Sequence, residues 1–136
     1  MLFRSFGELF ETVREELRED AVVIVQGSVR SDEFSGGLRI TAEHIWSLPQ
    51  ARAHFAKYAR IVLDADRCDV AALLASIACD ASAPRVRVRL EVQGKRSGAG
   101  FSGVLDLGET LKLPADDEVV RAVAANAGAQ EVSFVY

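Results

Sequence analysis

Three aspartates, Asp64, Asp66 and Asp69, form a D-x-D-x-x-D run, and carboxylates grouped in this way suit two-metal phosphoryl chemistry, which needs ions about 4 Å apart. The run lies between an apolar stretch, Arg60–Leu63, and a second one, Val70–Cys79. A plainer role is therefore available: Asp66 or Asp69 caps the first turn of a helix by accepting hydrogen bonds from its unsatisfied N–H groups. Capping explains the residue types and their place without an ion. His44 and His54 have no ligand spacing to each other or to either cysteine. Neither a phosphate loop (G-x-x-x-x-G-K-S/T), a nucleophile elbow (G-x-S-x-G) nor a zinc helix (H-E-x-x-H) occurs in the chain. The reading assigns no catalytic residue, no metal ligand and no cofactor.

Charge offers a second kind of chemistry. Arg85, Arg87, Arg89, Lys95 and Arg96 make a basic strip with Glu91 as its one nearby acid. The pattern suits the solvated outer face of an edge strand, which charge protects from aggregation, or a contact with DNA or an acidic partner. The whole chain is acidic, with net charge −4 and pI about 5.2, which excludes a protein that coats nucleic acid by bulk positive charge. Its 136 residues, 49% hydrophobic and 26% charged, suit one ordinary or two small globular domains. No apolar run reaches the ~20 residues that span a bilayer, and no leader pattern is present. Cys68 and Cys79 are expected in one helix, roughly 16 Å apart and too far to bridge. Together these features predict a cytoplasmic protein in a reducing compartment, with no membrane partner.

These residues need elements to position them. Residues 6–18 place Phe6, Leu9, Phe10, Val13 and Leu17 on one helical face. The β-branched run Val22–Val25 predicts a largely buried strand. Gly36-Gly37 supplies a reversal, after which Leu38, Ile40 and Ala42 alternate inward against Arg39, Thr41 and Glu43. Residues 47–58 predict a short connecting helix with Pro49 in its first turn and Ala51, Phe55 and Tyr58 on one side. Downstream come a strand at Arg60–Leu63, a helix at Val70–Cys79 and a strictly alternating strand at Arg85–Val92. A Gly94–Gly100 loop follows, then strands at Phe101–Leu107 and Thr110–Leu113, a helix from Pro114 to Asn126 stopped by Gly128, and a last strand, Gln130–Tyr136. The order β-α-β-β-β-α-β predicts helices on one face of a mainly antiparallel sheet.

Specific motifs run through this frame. Val25-Gln26-Gly27-Ser28-Val29 is followed by the turn Asp32–Leu38, D-E-F-S-G-G-L, then by Thr41-Ala42, Ile45, and Ala51-Arg52 with Phe55, Tyr58 and Ala59. In these residues the chain resembles the end of the α subunit of bacterial DNA polymerase III, the C-family replicative polymerase. The similarity continues more weakly downstream, where Leu111 stands in place of a frequent tryptophan and Pro114 sits one position early.

The resemblance carries expectations of its own. The fold class becomes α+β, a partial OB-fold followed by the β-α-β-β-β-α-β domain. Residues 1–48 would be the second half of an OB-type barrel, 49–59 a connecting helix, and 60–136 a domain similar to one that binds the clamp-loader τ subunit. The polymerase active site would lie upstream, which leaves this stretch without one. The loop between the two hairpin strands is the expected grip on single-stranded DNA, with Phe34 stacking on a base and Arg30 and Arg39 meeting phosphate. The alternative is that Phe34 packs back on the sheet while Asp32 and Glu33 solvate the turn. The expected τ contact involves Leu111, Phe134, Val135 and Tyr136. An apolar side on Val22–Val25, Phe6 and Phe10 should be exposed. A free-standing OB-like nucleic-acid-binding protein is the alternative to the polymerase reading.

Overall fold

The computed structural model describes residues 2–4, 11, 13, 14, 18–34, 36–78 and 82–136, without the side chains of 2–4 and 78, and divides into two compact units, Met1–Leu48 and Pro49–Tyr136. The helix expected over 6–18 falls mostly outside the described residues, as do Phe6, Phe10 and Cys79.

In the first unit, strands β1 (Leu2–Arg4), β2 (Val23–Ser31) and β3 (Leu38–Ser47) form a sheet in the order β1-β3-β2. β2 and β3 make the expected antiparallel hairpin, and β1 adds in parallel to β3. Three residues are too few to show a period, so β1 left no sequence pattern. The hairpin ladder shifts between Gln26, which faces His44, and Gly27, which faces Ala42, and this leaves Glu43 unpaired as a bulge. A Cβ on Gly27 would lie 2.1 Å from the Thr41 carbonyl oxygen, so only glycine admits this approach of the strands. The bulge resets the alternation: Ala42 and Ile45, three apart, both point inward and pack with Val13.

Two expectations are corrected here. Leu38 is half-exposed, and Val22, at 69% exposure, does not belong to a largely buried strand. Of the apolar surface expected to be exposed over Val22–Val25, Val22 and Val25 are exposed and Val23 and Ile24 half-buried.

The second unit runs through α1 (Leu48–Phe55), β4 (Tyr58–Asp64), α2 (Val70–Ala78), β5 (Arg85–Arg96), β6 (Ala99–Asp106), β7 (Lys112–Pro114), α3 (Asp117–Asn126) and β8 (Ala129–Val135). From β4 onward this is the predicted β-α-β-β-β-α-β order. The sheet order is β6-β5-β4-β8, with β7 beside the start of β5. β4 and β5, joined across α2, are parallel, and every other pairing is antiparallel. The chain is therefore an α+β protein, compatible with a partial OB-type first unit.

One face of this sheet carries the core. Ala59, Ile61, Leu63, Val86, Val88 and Leu90 meet Leu73 and Ile77 of α2 and Val123 of α3, all nearly or fully buried. Arg85–Val92 alternates as predicted, valines and leucine inward. Gly128, at φ 68°, ends the last helical segment, and a Cβ there would press on the Arg67 carbonyl at 2.7 Å.

Local corrections follow from pairing. Tyr58 starts β4 and is not on a helix, because its strand is recruited by Val135; Phe55 is half-exposed and Ala51 alone of the expected trio is buried in α1. Cys68 precedes α2, since Asp69 caps it. Gly94–Gly100 is not an open loop: β5 and β6 stay paired to Arg96 and Ala99, and only Ser97 and Gly98, at φ 51° and 83°, turn the chain.

Candidate nucleic-acid interface

The tip of the first hairpin is built around Asp32. Its N–H donates to the Gly37 carbonyl at 2.9 Å and its own carbonyl accepts from Gly36 N–H at 2.9 Å, with Gly36 at φ 66°. The Asp32 side chain is buried at 4% exposure and accepts a 2.8 Å hydrogen bond from Arg39 Nη2. Asp32 therefore does not simply solvate the turn, since it holds the turn closed and ties it to β3. Phe34 stands at the tip, 97% exposed, and does not pack back on the sheet.

Of the residues expected to meet DNA, the structure brings Arg30 and Arg39 directly opposite one another, on the same face of the hairpin. They differ in state: Arg30 is exposed, whereas Arg39 is engaged by Asp32. His44 and Trp46 stack on that face with ring centroids 5.3 Å apart. What this region can do chemically is present one aromatic ring and one or two guanidinium groups to a flat, anionic ligand.

The other sequence candidates lie in the second unit. Asp69 Oδ1 accepts from Ala72 N–H at 3.0 Å, the expected cap, and Asp64 Oδ1 accepts from Asp66 N–H at 3.0 Å. Asp66 does not cap α2. Among the described residues, no three His, Cys, Asp or Glu side chains group as a metal site.

The basic strip is not simply the face of an edge strand: β5 lies between β4 and the β6–β7 side, so Arg89 is flanked on both sides, while Arg85 and Arg87 pair with β7 alone and Lys95 and Arg96 with β6 alone. Strand pairing brings to Arg87 and Arg89 acids that the linear sequence puts elsewhere. Arg87 meets Glu109 at 2.7 Å and Arg89 reaches Asp106 at 3.5 Å while lying over the Tyr58 ring. Arg85 Nη1 donates to the Ile77 carbonyl. Glu91, the one acid counted with the strip, belongs to Arg60, which also holds Glu131. Hydrogen bonds from Arg60 hold both glutamates below the ordinary carboxylate range and raise the Arg60 guanidinium above its own. The Gly108 N–H lowers Asp106, and Lys112 lowers Glu109.

The residues expected to dock a partner do not converge. Leu111, partly exposed, precedes β7 on the β6–β7 side of β5, whereas Phe134, Val135 and Tyr136 end β8 beyond β4. Phe134 is packed on the core beneath Arg52, whose guanidinium lies 4.8 Å from its ring centroid. Val135 carbonyl accepts from Lys57 N–H at 2.7 Å. Tyr136 is 61% exposed. Arg52 was not singled out as a site, yet it also donates to the Ala115 carbonyl at 2.8 Å and meets Asp117 at 2.6 Å. Its place beside Ala51 in the motif with Phe55, Tyr58 and Ala59 is the available signal.

Sequence reasoning also missed an open groove of about 860 Å³ at the carboxyl ends of β4 and β5, lined by Asp64, Arg67, Gln93, Lys95, Phe101 and Gln130. Phe101 lies over Gly94, where a Cβ would be 2.7 Å from its ring. Only the glycine gave a hint.

No protein-family model matches the chain. Individual proteins do. The DNA polymerase III subunit alpha of Pseudomonas aeruginosa is 30% identical over 133 residues, 96% of this chain and 11% of the relative. That of Pasteurella multocida is 43% identical over 58 residues, 43% of this chain and 5% of the relative. That of Pseudomonas fluorescens is 26% identical over 133 residues, again 11% of its length. The chain thus spans about a tenth of the relatives it matches most fully. By sequence it is a relative of the bacterial DNA polymerase III α subunit, corresponding to a small part of it.

Proposed function

We propose that the chain is a non-catalytic, ligand-binding portion of a replicative DNA polymerase α subunit, corresponding to its C-terminal part and working in DNA replication. In this reading the first unit contacts single-stranded template DNA through Phe34, Arg30 and Arg39. The second unit docks the clamp-loader τ subunit through Leu111, Phe134, Val135 and Tyr136. The single observation that carries the DNA contact is the 97% exposure of Phe34 on a turn fixed by Asp32 and Gly36. An apolar ring held away from its own sheet is arranged to stack on something else, and any base offers a π-face. For τ, support comes from the resemblance of residues 60–136 to a τ-binding domain and from the exposed Tyr136 and Leu111; Phe134 would act by holding β8, since it is already packed.

The DNA contact is tested with the 136-residue chain and a fluorescently labelled oligo(dT) by anisotropy. Phe34→Ala should weaken binding by about 1–3 kcal/mol, the usual worth of one stacked base. Equal affinity for the parent and the variant would refute a stacking role. For τ, calorimetry should show heat that Tyr136→Ala and Leu111→Ala reduce; no heat with folded chain at tens of micromolar, a range where about −6 kcal/mol of binding is visible, would remove that partner. The free-standing OB-like alternative makes the same prediction for Phe34 and none for τ.

A further inference from the structure

The β6 edge of the second sheet is used by neither reading. All eight residues of β6 are exposed, including Phe101, Val104 and Leu105. Protein edges are ordinarily blunted by lysine, proline or a bulge, but β6 (AGFSGVLD) has no charge before Asp106 and pairs with β5 without a break from Asp106 to Ala99. Leu107 N–H donates to the Val88 carbonyl at 3.0 Å. Alternation along an antiparallel ladder then turns the N–H and C=O groups of Leu105, Gly103 and Phe101 toward β5. Those of Asp106, Val104, Ser102 and Gly100 point away from it. The outward row therefore consists of small or uncharged residues up to its last member.

We propose that this edge pairs antiparallel with the same edge of a second copy, about a two-fold axis at Gly103. Such an interface is self-complementary and closes on itself, and β6 meets its demands residue by residue. On the helix-bearing face, Phe101 would lie opposite the partner's Leu105, and Leu105 opposite the partner's Phe101, covering apolar groups that are 47% and 55% exposed. At the axis, two glycines meet without side chains. On the other face, Val104 would cover the partner's Ser102. Asp106 would face the partner's Gly100, and Lys95, which sits across from Gly100 in the β5–β6 ladder, could reach a carboxylate over that missing side chain. The two Asp106 carboxylates lie at opposite ends of the ribbon, so no like charges meet.

A pairing this short buries less than a standard interface, so association is expected in roughly the 10 µM to 1 mM range. Sedimentation equilibrium of the 136-residue chain across that range should show its mass rising from 14.8 kDa toward twice that value. Ser102→Pro removes an outward N–H and leaves the β5 ladder intact, and Val104→Lys adds a charge to the edge. Each should weaken association about tenfold or more. Lys95→Ala should weaken it about threefold, with the difference vanishing at high salt. Circular dichroism checks each fold, and Val104→Lys carries the test if the proline variant unfolds. A chain that stays monomeric at the top of the range, or folded variants that dimerise like the parent, would overturn the proposal.

Discussion

The two hairpins of this protein handle one exposed phenylalanine each in opposite ways. In β5–β6 a two-residue turn closes directly, and Phe101 lies down across Gly94, which has no side chain to oppose it. In β2–β3 the loop from Asp32 to Gly37 is longer, and Phe34 stands away from the sheet. The glycines of the first hairpin serve the backbone instead: Gly36 makes the turn and Gly27 admits the bulge. Both hairpins use a glycine to reverse the chain, Gly98 and Gly36; what differs is that Gly94 lies under Phe101 in the second. Phe101 thus keeps about half its surface exposed, whereas Phe34 keeps nearly all of it.

That contrast can be broken at several strengths. The largest effect belongs to the shared foundation of the second hairpin: Ile61→Ala, at a fully buried site, should cost about 2–5 kcal/mol in urea unfolding. In the first hairpin, Gly27→Ala should cost on the order of 3 kcal/mol, because the new methyl meets the Thr41 backbone at 2.1 Å. Loss of the first sheet's amide-exchange protection with the second sheet's retained is the expected signature. Asp32→Ala should cost about 1–3 kcal/mol by leaving the Arg39 guanidinium without its carboxylate while the backbone bonds of the turn remain, and it should weaken DNA binding by untying the loop below Phe34 from β3. Phe34→Ala should change stability by less than about 0.5 kcal/mol while still reducing DNA affinity. A large stability loss there would mean that the ring packs after all.

Acid gives a graded test of the ion pairs in the second unit. Glu91 and Glu131 are held below their ordinary value of 4.5 by Arg60, and Glu109 by Lys112. Lowered carboxylates contribute stability that is complete above the unfolded value and is lost as pH falls through the lower folded values. The urea midpoint should therefore drop on acidification below about pH 4.5, and Arg60→Met should flatten that slope; an unchanged slope would mean the ion pairs add nothing.

Much of this fold was legible in the residues. The order of the second unit follows from period-2 runs such as Val86-Val88-Leu90 and from punctuation at Asp69 and Gly128, because those signals are local. The D-E-F-S-G-G-L turn marked the hairpin that carries Phe34. Pairing was not legible. Nothing near Arg87 or Arg89 in the chain announces Glu109 or Asp106 as its partner, so two arginines already paired with acids read as part of a free basic face. Nor could the sequence alone tell that Asp32 turns inward while Phe34 turns out, since both sit in the same polar loop. Sequence by itself determined the first hairpin, the element order of the second unit from β4 onward and the polymerase relationship, through backbone preferences and side-chain periods acting over a few residues. Tertiary structure alone decided which charges are already satisfied, where the bulge resets the hairpin and which aromatic ring remains exposed, because those depend on strands brought side by side from distant parts of the chain.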